Sequence, residues 1–140
     1  AMGWSYGGFM TLHMLTEPKM GLAAAAVGAP VTDWSLYDTH YTERFMSTPE
    51  ANPEGYAASD VLPQLDRMTG RMLLMHGMAD DNVIFENATR VINAMQENSQ
   101  PFEMMLYPGQ RHGVRGNPRQ LQQWRTYLDF LDRTIGSRAQ

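Results

Sequence analysis

The sequence predicts an α/β fold in which parallel strands are flanked by helices. Three short stretches are continuously apolar and end at glycine or proline or in a polar loop, which is typical of strands buried on both faces of a sheet. Amphipathic stretches with helical periodicity follow or separate these strands. Of the 140 residues, 43% are hydrophobic and 19% are charged, which provides enough apolar side chains for the core of one folded unit.

Strands and helices alternate along the chain. A helix is predicted over residues 7–16, and strands are predicted over residues 21–27, 71–76 and 102–107. Between the last two strands, a helix with Asn82 as its candidate N-cap is predicted from an apolar face formed by Ile84, Ala88, Val91, Ile92 and Met95. Because short loops connect these elements, we expect right-handed crossovers and a parallel sheet covered on both faces.

The last helix has a start signal and a stop signal. Asn117 is its candidate cap, Pro118 its first helical residue, and Gly136 its left-handed stop. An apolar stripe runs along it, and such a stripe normally faces the core; it consists of Leu121, Trp124, Leu128, Leu131 and Ile135.

Composition excludes several classes of protein. The net charge is −4 and the basic residues are scattered, which indicates neither a nucleic-acid surface nor a basic face for a membrane. The absence of cysteine excludes disulfides, thiolate metal sites and a cysteine nucleophile. The longest apolar stretch, residues 21–27, is about a third of the ~20 residues that cross a bilayer, so no membrane span is predicted.

The first candidate site is Gly3-Trp4-Ser5-Tyr6-Gly7, which matches the nucleophile-elbow pattern G-x-S-x-G. In such an elbow the serine occupies a strained turn between a strand and a helix, so its hydroxyl is presented rather than packed. The residues two before and two after it are small, because strand and helix approach each other there. The N–H groups that open the helix can stabilise an oxyanion. A helical pattern follows Ser5, which favours a nucleophile over an ordinary helix cap.

A serine nucleophile of this kind requires an acid and then a histidine, on loops that follow later strands. Asp80 follows the second predicted strand and His112 follows the third. Two alternatives stay open: Asp81 as the acid, because loop geometry decides between the two, and His76 as the base. A histidine that ends a buried strand more often packs or bonds to the backbone. The other histidines, interpreted as structural or exposed, are His13 and His40.

Four aromatic residues recur at helical spacing after the first predicted strand: Trp34, Tyr37, Tyr41 and Phe45. The spacing predicts that they share one helix face, which is more often part of a core. Loops at this end of a parallel sheet also line substrate sites, and buried phenols need polar partners. A pocket lined by these rings suits a compact apolar side chain such as that of proline.

Five segments spread over nearly the whole chain together resemble a known family. They are Gly3-Trp4-Ser5-Tyr6-Gly7-Gly8, Ala29-Pro30-Val31-Thr32-Asp33-Trp34, Tyr41-Thr42-Glu43-Arg44, His76-Gly77-Met78-Ala79-Asp80-Asp81-Asn82-Val83 and His112-Gly113. In this combination the chain resembles the dipeptidyl peptidase IV branch of the prolyl oligopeptidase family of serine peptidases. The first and third segments are far more specific than the bare elbow pattern.

The resemblance implies a role for individual residues. Ser5 would be the nucleophile, Asp80 the acid and His112 the base, and the backbone N–H of Tyr6 would contribute to the oxyanion site. Asn82 would hold a substrate carbonyl. The pocket for the penultimate substrate residue, commonly proline or alanine, would be lined by Val31, Trp34, Tyr37, Tyr41 and Val83.

Several parts of the family have no counterpart in these residues. The chain begins two residues before Gly3, so the strand that leads into the elbow and all earlier strands of the hydrolase sheet are expected to be missing. The same holds for the β-propeller, the upstream oxyanion-site tyrosine and the acidic residues that bind the substrate's amino terminus. Residues 1–140 are therefore interpreted as the C-terminal part of an α/β-hydrolase catalytic domain.

For the intact protein, the resemblance implies release of N-terminal dipeptides through an acyl-enzyme on Ser5, with peptides as partners and no metal or cofactor. A related oligopeptidase, acylaminoacyl peptidase or esterase is the alternative activity. A different alternative is that the chain is a catalytically inactive fragment. The first predicted strand would then have an unpaired edge, and the unpaired N–H and C=O groups of such an edge bind other chains. The isolated chain is then expected to self-associate or to bind its missing N-terminal part. The compartment stays open, although bacterial relatives suggest the periplasm.

Overall fold

Four parallel strands form a single sheet in the computed structural model, which describes residues 1–136. The strands lie side by side in chain order and are β1 (Met2–Trp4), β2 (Ala24–Gly28), β3 (Arg71–Gly77) and β4 (Glu103–Tyr107). The register pairs Gly3 with Val27, Val27 with Leu74 and Leu74 with Met104. The predicted parallel sheet is confirmed, and the second and third predicted strands are correct to within one residue at each end.

Five α-helices connect and cover the strands. They are α1 (Tyr6–Thr16), α2 (Thr39–Met46), α3 (Pro53–Ser59), α4 (Glu86–Glu97) and α5 (Asn117–Ile135). Three 3₁₀ helices complete the connections, at Pro18–Met20, Trp34–Leu36 and Leu62–Arg67. Among these described elements no helix has both the length and the apolar character needed to cross a bilayer.

Alternate residues of the central strands point to opposite faces of the sheet, and each face has its own core. On one face, Leu12 of α1 and Met95 of α4 pack with Val27 and Leu74. On the other face, Tyr127 and Phe130 of α5 pack with residues such as Leu73. Helices therefore cover both faces of the sheet, as the alternating pattern predicts.

The first strand corrects two expectations. A strand does lead into the elbow: β1 pairs in parallel with β2, and the backbone nitrogen of Ala1 donates to the Ala24 carbonyl at 3.0 Å. In the described sheet β1, and not the first predicted strand, therefore forms the edge next to β2. That predicted strand also begins three residues later than expected, because Gly21 ends the preceding 3₁₀ helix in a left-handed conformation with φ 58°.

The last helix exists as predicted, but a different face of it is buried. Tyr127 and Phe130 contact the sheet, whereas four members of the predicted stripe are 51–63% exposed: Leu121, Trp124, Leu128 and Ile135. Helical periodicity identifies apolar faces, but it does not show which of two neighbouring apolar faces is buried. In α5, Tyr127 and Phe130 pack beside the sheet. The end signals were also misassigned, since Gly116 precedes the helix at φ 89°, Asn117 is its first residue, and Gly136 has φ −58°.

Helix α4 begins four residues after Asn82, so the prediction of Asn82 as its N-cap was wrong. Residues 82–85 form a turn, in which the N–H of Asn82 donates to the carboxylate of Asp80 at 3.0 Å. Of the predicted core face of α4, Ala88, Val91 and Met95 are fully buried and Ile92 is partly buried. Ile84 was wrongly assigned to this face, because it lies in the turn before the helix and is exposed.

Candidate active site

Ser5 is the only residue between β1 and α1. Its backbone has φ 60° and ψ −123°, a conformation that residues with a side chain rarely adopt, and its hydroxyl makes no capping bond to the helix. A Cβ on Gly3 would overlap the Gly7 carbonyl, and a Cβ on Gly8 would overlap the Gly28 carbonyl. Among the described residues nothing lies within 4 Å of a Cβ on Gly7. The positions that have no room for a side chain are therefore Gly3 and Gly8.

A continuous line of hydrogen bonds joins Ser5, His112 and Asp80. His112 Nε2 lies 2.9 Å from Ser5 Oγ, and His112 Nδ1 lies 2.9 Å from Asp80 Oδ2. An ionised carboxylate only accepts hydrogen bonds, so Nδ1 carries the proton and Nε2 is free to accept the proton of the serine hydroxyl. The three predicted residues therefore meet with the proton on the side that general-base chemistry requires.

The side chain of Asp80 is fully buried, whereas that of Asp81 is exposed. Oxygen Oδ1 of Asp80 accepts the N–H groups of Asn82 and Val83, each at 3.0 Å, while Oδ2 faces His112. Asp81 instead forms an ion pair with Arg111 on the surface. The geometry thus favours Asp80 over Asp81 as the acid, a choice that the sequence left open.

His112 follows β4 on a loop that a tryptophan from β1 holds in place. The indole N–H of Trp4 donates to the backbone carbonyl of His112 at 2.7 Å. Sequence reasoning missed this contact. The available signal was the indole itself, because a half-buried tryptophan N–H usually has an acceptor.

The other histidines do not join this line. His76 is fully buried, and its Nε2 lies 2.8 Å from the Val83 carbonyl oxygen; burial lowers its pKa. His13 lies 3.3 Å from the Ser59 carbonyl oxygen, and burial lowers its pKa as well. His40 is exposed on α2. The alternative of His76 as the base therefore receives no support from the geometry.

Tyr6 is the first residue of α1, so its backbone N–H is among those that helix geometry leaves without an intrahelical acceptor. It lies directly after Ser5 in the chain. A negatively charged oxygen next to Ser5 would meet the N-terminal end of this helix, which favours an anion.

The predicted pocket residues gather beside this end of α1. Val31, Trp34 and Val83 are buried in one apolar cluster, with Tyr37 packed against it. Trp34 stacks on Tyr41 with centroids 6.0 Å apart, and Tyr37 stands perpendicular to both rings. The rings do not share one helix face, which corrects the prediction: Trp34 lies in a 3₁₀ helix and Tyr41 in α2. Residues 37–38 separate these two helices, and the rings are nevertheless in contact.

A cavity of about 430 Å³ lies beside these rings and is lined by Tyr6, Phe9, Trp34, Tyr41, Thr42, Phe45, Met46 and Ser59. Phe9 was not predicted here. Its ring contacts that of Trp34 edge-on at 5.3 Å. The signal was its position four residues after Ser5, because residues four apart share a helix face.

Asn82 does not line this cavity, but a hydrogen bond ties its side chain to the aromatic cluster. The Tyr37 hydroxyl donates to Asn82 Oδ1 at 3.0 Å. The amide nitrogen of Asn82 is thereby turned away from the phenol and can act as a donor.

Known proteins resemble this chain over nearly its whole length. The sequence model described as the prolyl oligopeptidase family matches residues 1–138. Over 140 residues the chain is 36% identical to dipeptidyl peptidase 8 of Mus musculus, a match that covers 97% of this chain and 16% of the mouse protein. Over 114 residues it is 46% identical to dipeptidyl peptidase family member 1 of Caenorhabditis elegans, covering 80% of this chain and 14% of that protein.

A solved structure has the same fold. The crystal structure of Porphyromonas gingivalis dipeptidyl peptidase 4 superposes with a TM-score of 0.92 and 36% identity, over 96% of this chain and 19% of that chain. The chain thus spans less than a fifth of the length of these relatives. The fold class predicted from the sequence, that of the α/β hydrolases, is confirmed, and the chain belongs to the prolyl oligopeptidase family.

Proposed function

We propose that this chain forms the C-terminal part of the catalytic domain of a longer serine peptidase, which releases dipeptides from the amino termini of peptides. The observation that carries the proposal is the line of two 2.9 Å contacts from Ser5 through His112 to Asp80. The names of the relatives, which are dipeptidyl peptidases, support the substrate class.

In the proposed reaction, His112 Nε2 takes the proton of the Ser5 hydroxyl while Oγ attacks the scissile carbonyl carbon. The carbonyl oxygen becomes an oxyanion that the N–H of Tyr6 stabilises. His112 then gives the proton to the leaving amine, and the C–N bond breaks to leave an ester on Ser5. Water, deprotonated by His112, hydrolyses the ester. Asp80 keeps the imidazole oriented and stabilises its charged form, and no cofactor enters these steps.

The aromatic cluster supports a preference for a compact apolar penultimate residue. A proline ring is flat and apolar, so it loses little rotamer entropy when Trp34, Tyr37 and Tyr41 enclose it. Val31 and Val83 close the apolar cluster, and the amide of Asn82 would donate to a substrate carbonyl. Alanine fits the same space with fewer contacts.

Turnover of matched substrates by the full-length protein tests this proposal. We expect hydrolysis of Gly-Pro-p-nitroanilide, and loss of at least about 10³-fold in kcat for Ser5→Ala because the nucleophile is absent. A preference for the N-acetylated dipeptide anilide would point instead to an oligopeptidase or acylaminoacyl peptidase. Efficient turnover of p-nitrophenyl butyrate alone would point to an esterase.

We further propose that the isolated 140-residue chain associates, with itself or with the rest of its catalytic domain, through β1. The outer edge of β1 has no neighbouring strand among residues 1–136, and a groove of about 350 Å³ beside it is lined by Met2, Trp4 and Trp124 with Tyr127. Unpaired strand edges recruit partners. Light scattering of the isolated chain is expected to show dimers or larger species; a stable monomer with full peptidase turnover would contradict this.

A further inference from the structure

The reaction proposed above leaves one buried histidine without a role. The side chains of His76 and Asp80 are both fully buried, and His76 Nε2 lies 3.2 Å from Asp80 Oδ2. The same nitrogen lies 2.8 Å from the carbonyl oxygen of Val83. His76 is the sixth residue of β3, so the rigid centre of the sheet holds its backbone.

The partners of His76 fix its protonation. A carboxylate and a carbonyl both only accept hydrogen bonds, so Nε2 carries the proton. Nδ1 is buried without a partner among the described residues, and a second proton there would be an unsatisfied buried donor. The ring packs edge-on against Phe85 at 5.6 Å, and the titratable groups that act on it are Asp80 and His112. His76 is therefore a neutral donor of fixed orientation.

This donor acts on the acid in two ways. It binds the carbonyl of Val83, whose own N–H donates to Asp80 Oδ1 at 3.0 Å, so it fixes the turn that holds one carboxylate oxygen. It also approaches Oδ2, the oxygen that faces His112. Both histidines thus approach the same carboxylate oxygen, Asp80 Oδ2: His112 Nδ1 lies 2.9 Å from it and His76 Nε2 lies 3.2 Å from it.

We propose that His76 is a positioning residue of the reaction: its Nε2–H binds the Val83 carbonyl and so fixes the turn that holds the carboxylate of Asp80 in the orientation that His112 requires. The inference rests on the proposed function, because it assigns His76 an effect only through Asp80 and His112. It predicts that the site needs a neutral donor at Nε2 and does not need the imidazole as a base.

Two amide substitutions in the full-length protein separate these requirements. The amide nitrogen of Gln lies close to the position of Nε2, whereas that of Asn lies close to the position of Nδ1. We expect His76→Gln to keep kcat for Gly-Pro-p-nitroanilide within about threefold of the parent. His76→Asn is expected to lower kcat about tenfold with little change in KM, because the hydrogen bond to the Val83 carbonyl that fixes the turn around Asp80 is lost. His76→Met, which fills the space without a donor, is expected to behave like Asn.

Two further measurements complete the test. Thermal unfolding is followed for each variant, and His13→Gln serves as the control for loss of a partly buried histidine that does not contact Asp80.

The rate at which a fluorophosphonate labels Ser5 is measured as well, because it follows the geometry of the site without depending on the substrate. A parent that is labelled but does not cleave the anilide would contradict the proposed substrate alone. Equal effects of Gln and Asn on labelling, or parental labelling in a folded Met or Asn variant, would overturn the inference.

Discussion

Single residues at the elbow combine strain with exact placement of donors and acceptors. Ser5 is held at φ 60°, which costs about 1–3 kcal/mol for a residue with a side chain. The surrounding structure offsets this cost: the Ser5 N–H donates to the Gly28 carbonyl at 2.9 Å, and its carbonyl accepts the N–H of Phe9 at 3.0 Å. The strain therefore persists because backbone bonds on both sides of Ser5 fix the turn.

Trp4 provides a prediction at this scale. Trp4→Phe keeps an aromatic ring but removes the indole N–H that bonds to the His112 carbonyl. We expect kcat to fall about twofold to tenfold, since one neutral hydrogen bond is lost from the loop that carries the proposed base, His112. KM should change little, because Trp4 does not line the aromatic cavity.

The matched control is Trp124→Phe, which removes the indole N–H of an exposed tryptophan on α5. Steady-state kinetics of both variants on the same anilide make the comparison. If the two variants have the same kcat, the bond from Trp4 has no part in positioning His112.

At the scale of elements, the close approach of β1 and α1 makes the elbow possible. The strand and the helix meet where the position of a Cβ on Gly3 is already occupied by the backbone of Gly7. The first turn of α1 also contacts β2, because Gly8 lies against the Gly28 carbonyl. Glycine at these two positions therefore lets three elements converge directly behind Ser5.

Substitution at the elbow glycines tests this packing. Gly3→Ala is expected to destabilise the protein by about 1–3 kcal/mol or more, because the added methyl group overlaps main-chain atoms that cannot move independently. Gly7→Ala adds the same methyl group where nothing lies within 4 Å among the described residues, and is expected to change stability by less. The free energy of unfolding in urea compares the two, and a larger loss for Gly7→Ala would refute this view of the elbow.

Across the whole molecule, the proposed acid and base come from loops at one end of a parallel sheet. Asp80 and His112 follow the neighbouring strands β3 and β4, and Ser5 follows β1. The order of these residues and the strands β3 and β4 could be predicted from the sequence, because short apolar runs and the elbow pattern are local signals. Their convergence follows from the parallel topology.

Other features of the molecule depend on contacts that no local pattern contains. The choice between Asp80 and Asp81 depends on a turn that buries one carboxylate and leaves the other with Arg111 on the surface. The three-residue strand β1 is too short to have a periodicity, and it exists because β2 provides its hydrogen-bond partners. The buried face of α5 was wrongly predicted, because Tyr127 and Phe130 pack against the sheet while four of the five residues of the predicted stripe are exposed.

Buried histidines make the stability of the whole molecule depend on pH. Burial lowers the pKa of His76 and of His13 below the unfolded value of about 6.5, so the unfolded state binds protons more readily. Their contribution to stability is complete above that value and is lost as the pH falls. We expect the Tm of the full-length protein to fall between about pH 7 and pH 5.

Replacing His76 by Gln removes one of these groups and is expected to flatten that dependence. His40→Gln, which removes an exposed histidine, should leave the dependence unchanged. Differential scanning calorimetry across this range makes the comparison. An unchanged slope in His76→Gln would mean that protonation of His76 is not linked to unfolding.

Labelling of Ser5 by a fluorophosphonate tests most directly whether His112 and Asp80 activate this serine. After the full-length protein reacts, the modified residue is located by mass spectrometry of its peptides. We predict a single modification at Ser5, with the labelling rate reduced at least about 10²-fold in His112→Ala and clearly reduced in Asp80→Asn. Modification at another residue, or labelling of Ser5 at the parental rate without His112, would contradict the account.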